Sequence, residues 1–336
     1  MDKSKILITG AGGYIGSVAT YLVLQKGYKV VALDNFSRGY EEPLKLLQDM
    51  FGKESLSIYK RDLHDDLTDI FENNKIKSVL HYAAYCLVSE SMEKPEMYFT
   101  NNVCGTQNLL TTMLANNVTN IVFSSTCTVY APAQYIPIDD KHPTGPESPY
   151  GESKLITEKI IEWHGKTRGL KYVILRYFNV CGASDDGLIG DSKKPSVLLI
   201  QNAVRGALGI EEFLLTCPQV DTPDSTPIRD YVNVVDLNEA HLKAIEYLEK
   251  DGKNEIINLG TGEGNSVLEI VKVVQELTGK KFDLKAGEKR KGEATKMIAD
   301  IKKAEKILNW KPQRNVSDSI KSLIAWYGKQ PTGWRS

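Results

Sequence analysis

The 336-residue sequence predicts an α/β fold: a doubly wound parallel sheet with a smaller C-terminal α/β lobe. Three observations predict it. Short apolar runs alternate with amphipathic stretches through the first half of the chain, the pattern of strands joined by crossover helices. A glycine-rich turn, Gly10-Ala11-Gly12-Gly13-Tyr14-Ile15-Gly16, follows the first apolar run. A tyrosine and a lysine stand four residues apart in Tyr150-Gly151-Glu152-Ser153-Lys154, at the start of a later amphipathic stretch.

The runs expected as strands are Lys5–Thr9, Lys29–Leu33, Ser57–Lys60, Ser78–Tyr82, Asn120–Ser124 and Lys171–Arg176. Runs such as Ile121-Val122-Phe123 are continuously apolar, as strands covered on both faces are. Between them, Ile15–Lys26, Leu63–Asn73, Tyr98–Asn116 and Tyr150–Thr167 carry the helical period. The texture changes near residue 180. Ala183–Pro195, rich in Gly, Asp, Ser and Lys, reads as a loop, and so does the proline-bearing Gln219–Pro227. Asp230–Val235 reads as a strand returning to the first domain. The expected first domain is therefore 1–180 with a returning segment at about 229–253. Residues 181–228 and 254–336, containing Asn254–Leu259, Val267–Leu277 and Ile298–Leu308, are the expected second lobe.

Composition narrows the function. Hydrophobic residues make up 41% and charged residues 25%, ordinary for a chain with a sizeable core. A net charge of −1 offers no general attraction for nucleic acid. No apolar run approaches the roughly 20 residues of a membrane span. A strand beginning by residue 5 is expected to leave no room for a signal peptide. The five cysteines, at 86, 104, 127, 181 and 217, form no CxxC pair, and the five histidines show no ligand spacing. Neither metal nor a disulfide framework is expected, and a reducing cytoplasm is.

Gly10, Gly13 and Gly16 stand between a strand and a helix. The first permits a tight turn, the second lets backbone approach a pyrophosphate, and the third lets helix and strand pack closely. The helix N-terminus offers free N–H groups and partial positive charge to phosphates. Asp34 follows at the end of the second strand, placed to accept hydrogen bonds from a ribose diol. A carboxylate there repels a 2′-phosphate, so NAD is favoured over NADP, although Arg38 lies nearby. Asp62-Leu63 follows the third strand; Asp62 could bond an adenine amino group or serve as a helix cap. Tyr82-Ala83-Ala84 has small residues where backbone would pass close to a cofactor.

The spacing of Tyr150 and Lys154 puts both on one helix face, and Pro149 marks the helix start. A free phenol titrates near pH ~10. A nearby ammonium is expected to favour the phenolate and lower that pKa. Ser124-Ser125-Thr126 ends the preceding strand, on the side where open parallel sheets bind substrates. The Thr126 hydroxyl could share a proton between a substrate and Tyr150.

With these residues in place, the chain resembles the extended short-chain dehydrogenase/reductases, and among them the epimerases of UDP-sugars. The likeness runs nearly the whole chain, through Gly10–Ser17, Asp34-Asn35, Asn101-Asn102-Val103, Phe123–Thr126, Ser148–Lys154, Leu175–Asn179, Ile228–Tyr231, Asn258–Gly262 and Arg290 with Gly292. The resemblance implies a Rossmann fold and NAD as cofactor. It implies that Tyr14, Ile15, Asn35, Leu63, Tyr82, Ala83, Ala84, Asn101 and Phe178 join the glycines, Asp34, Asp62, Tyr150 and Lys154 around it. It implies that Tyr150 takes a hydroxyl proton, with Thr126 assisting, while hydride leaves C4 of the sugar for NAD⁺ and returns to the opposite face. Asn179, Arg229, Arg290 and Glu293 are implied as substrate ligands, and a homodimer is implied through the helices at 98–116 and 150–167. The chain departs from the epimerase pattern at Cys86, where a lysine is usual near the NAD phosphates, and at Asn233 and Met297. Nucleotide-sugar dehydratases carry Asp-Glu after the threonine, where this chain has Cys127 and Thr128. A 4-epimerase for another UDP-sugar, and a silent NAD-binding protein, remain alternatives.

Overall fold

A computed structural model describes residues 5–193, 196–281, 285–286 and 294–334. The first stretch of chain runs β1 (Lys5–Thr9), α1 (Tyr14–Gln25), β2 (Lys29–Asp34), α2 (Glu42–Phe51), β3 (Leu56–Lys60), α3 (Thr68–Asn74) and β4 (Ile76–His81). Next come α4 (Val88–Glu93), α5 (Pro95–Tyr98), a π-helical turn at Phe99–Cys104, α6 (Gly105–Ala115), β5 (Asn120–Thr126), α7 (Pro149–Arg168), β6 (Lys171–Tyr177) and β7 (Asn179–Cys181). The remainder is α8 (Leu199–Ala207), β8 (Leu214–Leu215), β9 (Ile228–Arg229), β10 (Tyr231–Asn233), α9 (Val234–Glu249), β11 (Glu255–Leu259), β12 (Asn265–Ser266), α10 (Val267–Thr278), β13 (Lys285–Ala286), β14 (Lys296–Met297), α11 (Lys302–Leu308) and α12 (Val316–Lys329).

Seven strands form one parallel sheet in the order β11-β6-β5-β4-β1-β2-β3. Sequence order reverses between β1 and β4, and ligands of such sheets bind outside the strand ends at that switch. Alternate residues supply two cores. Ile6, Ile8, Val30 and Ala32 pack on one face with Val18 of α1 and Leu237 and Ile245 of α9. Leu7, Val31, Val79 and Phe123 pack on the other with Ile70, Leu109 and Met113. Burial on both faces is why these strands lack polar alternation.

A third core lies away from the sheet, where Ile200 and Val204 of α8, Ile270 and Val274 of α10, and Leu323 and Trp326 of α12 interlock. The capping box of α10, Ser266 with Glu269, and that of α12, Asn315 with Asp318, fix where these helices begin.

The structure corrects several sequence expectations. Asn254–Leu259 does not build the second lobe: β11 pairs with β6 as the edge strand of the main sheet. Within Ile298–Leu308, α11 also packs beside α9 and β11. The strand expected at Asp230–Val235 shrinks to β10, which pairs with β7 and not with the main sheet, and α9 starts at Val234. Asn233 caps that helix by accepting the Val235 N–H. The helix expected at Leu63–Asn73 begins only at Thr68, and the stretch from Tyr98 to Asn116 is interrupted by the π-helical turn. The amphipathic helix α2, which buries Leu44 and Leu47, was not anticipated.

Candidate active site

The glycine turn is shaped by contact. Gly10 has φ +70°, and a Cβ there would lie 2.6 Å from the Ala83 nitrogen. A Cβ on Gly16 would lie 2.1 Å from the Gly10 carbonyl oxygen, so α1 can sit against the turn only without a side chain there. At Gly13 the nearest obstacle is Gly10 O at 3.3 Å, and the backbone stays open toward a groove lined by Gly12, Gly13, Arg38, Tyr40, Ser192 and Lys193. This is a cradle for an anion, and the dinucleotide diphosphate fits its chemistry.

Asp34 ends β2 and is buried. Its carboxylate accepts the Gly12 N–H at 2.9 Å and the Phe36 N–H at 2.7 Å, tying the turn to the strand end. Burial raises its pKa although both backbone bonds oppose the rise. Arg38, the residue that kept NADP open, is engaged elsewhere: it pairs with Glu90 at 2.7 Å and lies over the Tyr85 ring. Asn35 donates to Asp62 at 2.6 Å, and Asp62 also accepts the His64 N–H in a local turn. Asp62 caps no helix, since α3 begins six residues later.

The structure separates backbone from side chain at Tyr82. Tyr82 and Ala83 press their backbone against Gly10, while the Tyr82 hydroxyl donates to Asn238 at 2.8 Å on the far side. Tyr14 likewise sends its hydroxyl to the Gly182 carbonyl, and the Ile15 carbonyl accepts from Asn238. Leu63 and Phe178 are buried apolar residues, and Ala84 lies half-buried in the loop after β4. Asn101 donates to Asn102 at 2.9 Å. Asn102, in the π-helical turn, carries the heavier structural load: it bonds the Tyr85 N–H and carbonyl and Ser153 Oγ. Such turns often mark functional sites.

Tyr150 opens α7, whose N-cap Ser148 accepts the Gly151 N–H at 3.2 Å. Lys154 is 3% exposed, and its Nζ donates to the Ser124 carbonyl at 2.8 Å above the Phe123 ring. Thr126 ends β5, where its hydroxyl meets Thr128 Oγ1 at 3.1 Å. The three residues expected to act together are together. Their electrostatics differ from expectation. Burial, then Tyr177 and Cys86, push the Tyr150 pKa well up, and Thr126 opposes this; Lys154 is not what sets it. Burial lowers Lys154 to about 8, against the pull of Cys86 and Glu158.

Sequence reasoning missed Glu158, one further turn along the same face. It forms a buried ion pair with Arg176 of β6 at 2.5 Å and accepts from Ser125 of β5. Its i+4 spacing from Lys154 was the available signal.

On the substrate side, Asn179 and Arg229 line one cleft with Leu199, Phe213, Tyr231 and Val267. Of the last four, only Tyr231 lay in a stretch quoted for the resemblance. Asn179 is registered against Tyr231, and Arg229 against Met297. Arg290 and Glu293 lie outside the described residues. Met297 packs partly buried against the cluster of Val129, Tyr130 and Phe178. Among the described residues no group of three or more metal-ligating side chains occurs, and no helix is long and apolar enough to cross a membrane.

A glycine cradle at the switch point, an acid at the end of β2 and a Thr–Tyr–Lys group at the end of β5 and the start of α7 define a nucleotide-cofactor enzyme with a proton-transfer group. The model of the NAD dependent epimerase/dehydratase family matches residues 6–260, and the chain belongs to that family. A UDP-glucose 4-epimerase of Lactobacillus helveticus is 38% identical over 334 residues, 98% of this chain and 99% of the relative. The structure of a Bifidobacterium longum UDP-glucose 4-epimerase in complex with NAD+ and UDP has a TM-score of 0.93 at 34% identity, covering 98% of this chain and all of that one. A Campylobacter jejuni UDP-Glc/GlcNAc 4-epimerase has a TM-score of 0.83 at 33% identity, over 97% and 99%.

Proposed function

We propose that this protein is an NAD-dependent enzyme that interconverts the C4 epimers of a UDP-hexose, UDP-glucose and UDP-galactose, through a transient 4-keto sugar. The observation that carries this reading is the buried Thr126–Tyr150–Lys154 group beside the glycine cradle. A bound NAD would supply a reversible hydride acceptor for C4 and a positive charge that favours a phenolate. Tyr150 takes the C4 hydroxyl proton and later restores it, while Thr126 holds and shares that proton. Lys154, fixed by Ser124, would hold the cofactor ribose with its ammonium. Gly10, Gly13, Gly16, Asp34, Asn35, Asp62 and the backbone of Tyr14, Ile15, Ala83 and Ala84 hold the dinucleotide. Leu63, Asn101 and Phe178 would border it. Asn179 and Arg229, with Arg290 and Glu293, hold the UDP diphosphate and ribose, for which guanidinium forks suit.

Dehydration lacks its acid. Cys127 stands after Thr126, and burial pushes its thiol up to about 12. Another UDP-sugar is the one competing reading with a specific basis, the dual-specificity Campylobacter relative. Incubation of the purified protein with UDP-glucose, UDP-N-acetylglucosamine and UDP-xylose, without added cofactor, tests both. Formation of UDP-galactose fastest is the expected result; faster conversion of another sugar reassigns the substrate, and no conversion even with NAD overturns the reading.

The enzyme is assigned to the cytoplasm, in keeping with its five free cysteines. It is assigned as a homodimer paired through α6 and α7, where Trp163 of α7 is 63% exposed. A monomeric mass by light scattering at micromolar concentration would remove that assignment.

A further inference from the structure

Lys193 lies in the loop between β7 and α8, far in sequence from the glycine turn, yet it lines the same groove as Gly12 and Gly13. Its backbone N–H is pinned to Asp191 at 3.2 Å. Ser192 beside it accepts from the Tyr40 hydroxyl at 3.0 Å, which holds the loop against the segment after β2. The Nζ reaches Cys86, in the loop after β4, at 3.0 Å. A thiol is a weak acceptor, and among the described residues no carboxylate pairs with this ammonium. The other cation of the groove, Arg38, is already neutralised by Glu90. The groove therefore contains one charged, half-buried donor with a poor partner, next to backbone open for phosphate.

We propose that Lys193 is a cofactor-binding residue, whose ammonium fastens the NAD diphosphate from the second lobe across the mouth of the glycine cradle. Bridging the loop after β7 to the loop after β4, it makes retention of NAD depend on the closure of these two loops. The inference rests on the cradle being the NAD site, and the test separates the two.

The test follows NAD retained per chain in the purified protein, by acid release and absorbance during dialysis at rising salt. Lys193→Met should lose NAD about tenfold faster than wild type and lose much of the salt sensitivity of release. Cys86→Lys added to Lys193→Met should restore retention, because the new ammonium starts from the atom Lys193 now touches. Equal retention in wild type and Lys193→Met overturns the inference and leaves the cradle standing. Loss in Lys193→Met that neither Cys86→Lys nor Lys193→Arg repairs assigns the effect to loop structure and overturns it too. Wild-type protein that holds no NAD, even when NAD is added, overturns the cradle and the inference together.

Discussion

The cofactor side of the cleft and the substrate side are built in opposite ways. The cofactor side is made largely of backbone: glycines that admit no side chain, an acid that binds N–H groups, and strand ends of one continuous sheet. The substrate side is made of side chains carried on strands of two or three residues and on the first turns of α8 and α10, drawn from segments near 179, 199, 213, 229 and 267. A site made of backbone is rigid and written in one local motif. A site made of side chains from distant segments can change its ligand without changing the fold, which is where substrate choice within a family is adjusted.

If that contrast holds, chemistry and the two binding functions separate by mutation. The largest effect is expected for Tyr150→Phe: kcat falls on the order of 10³-fold, with NAD content and melting temperature unchanged. An unchanged rate would remove Tyr150 as the base. Gly16→Ala should come next, since its Cβ would meet the Gly10 carbonyl; bound NAD is lost and the midpoint of thermal unfolding drops by about 4 °C or more. Arg229→Ala should spare both NAD content and stability and raise KM about 10–100-fold. Loss of NAD in Arg229→Ala would break the comparison.

The smallest effect concerns pH. His81 and His241 are buried against the main sheet, and burial lowers them to about 3 and about 4. Folded, both are neutral; unfolded, both take a proton below about pH 6.5. The unfolded chain then binds more protons, so stability falls as pH drops from about 6.5 toward 4. His241 bonds Ser124 and the Leu237 carbonyl. His241→Gln should flatten that acid slope in urea titrations at stepped pH. An unaltered slope would place the acid sensitivity elsewhere.

What was readable in the sequence follows the same division. Gly10–Gly16 and Tyr150 with Lys154 were legible because each is a local rule, a turn without room for Cβ and one turn of helix. Glu158 obeys the same helical rule but shows its role only through Arg176, 18 residues on. Lys193 read as an ordinary loop charge, because its contact with Cys86 spans 107 residues. Asn254–Leu259 was placed in the wrong part of the molecule since nothing in Glu-Ile-Ile-Asn-Leu names its partner strand. The expected fall in the Tyr150 pKa failed for a related reason: desolvation depends on what packs around the ring, and no spacing reports that.

The position of β11 has a consequence for synthesis. The sheet receives its last strand from residues 255–259, about 80 residues after β6 is made. At ribosomal speeds of ~5–20 residues per second that is a wait on the order of 4–16 s. Throughout it the nascent chain presents the bare edge of β6, open to pairing with a strand of a neighbouring chain.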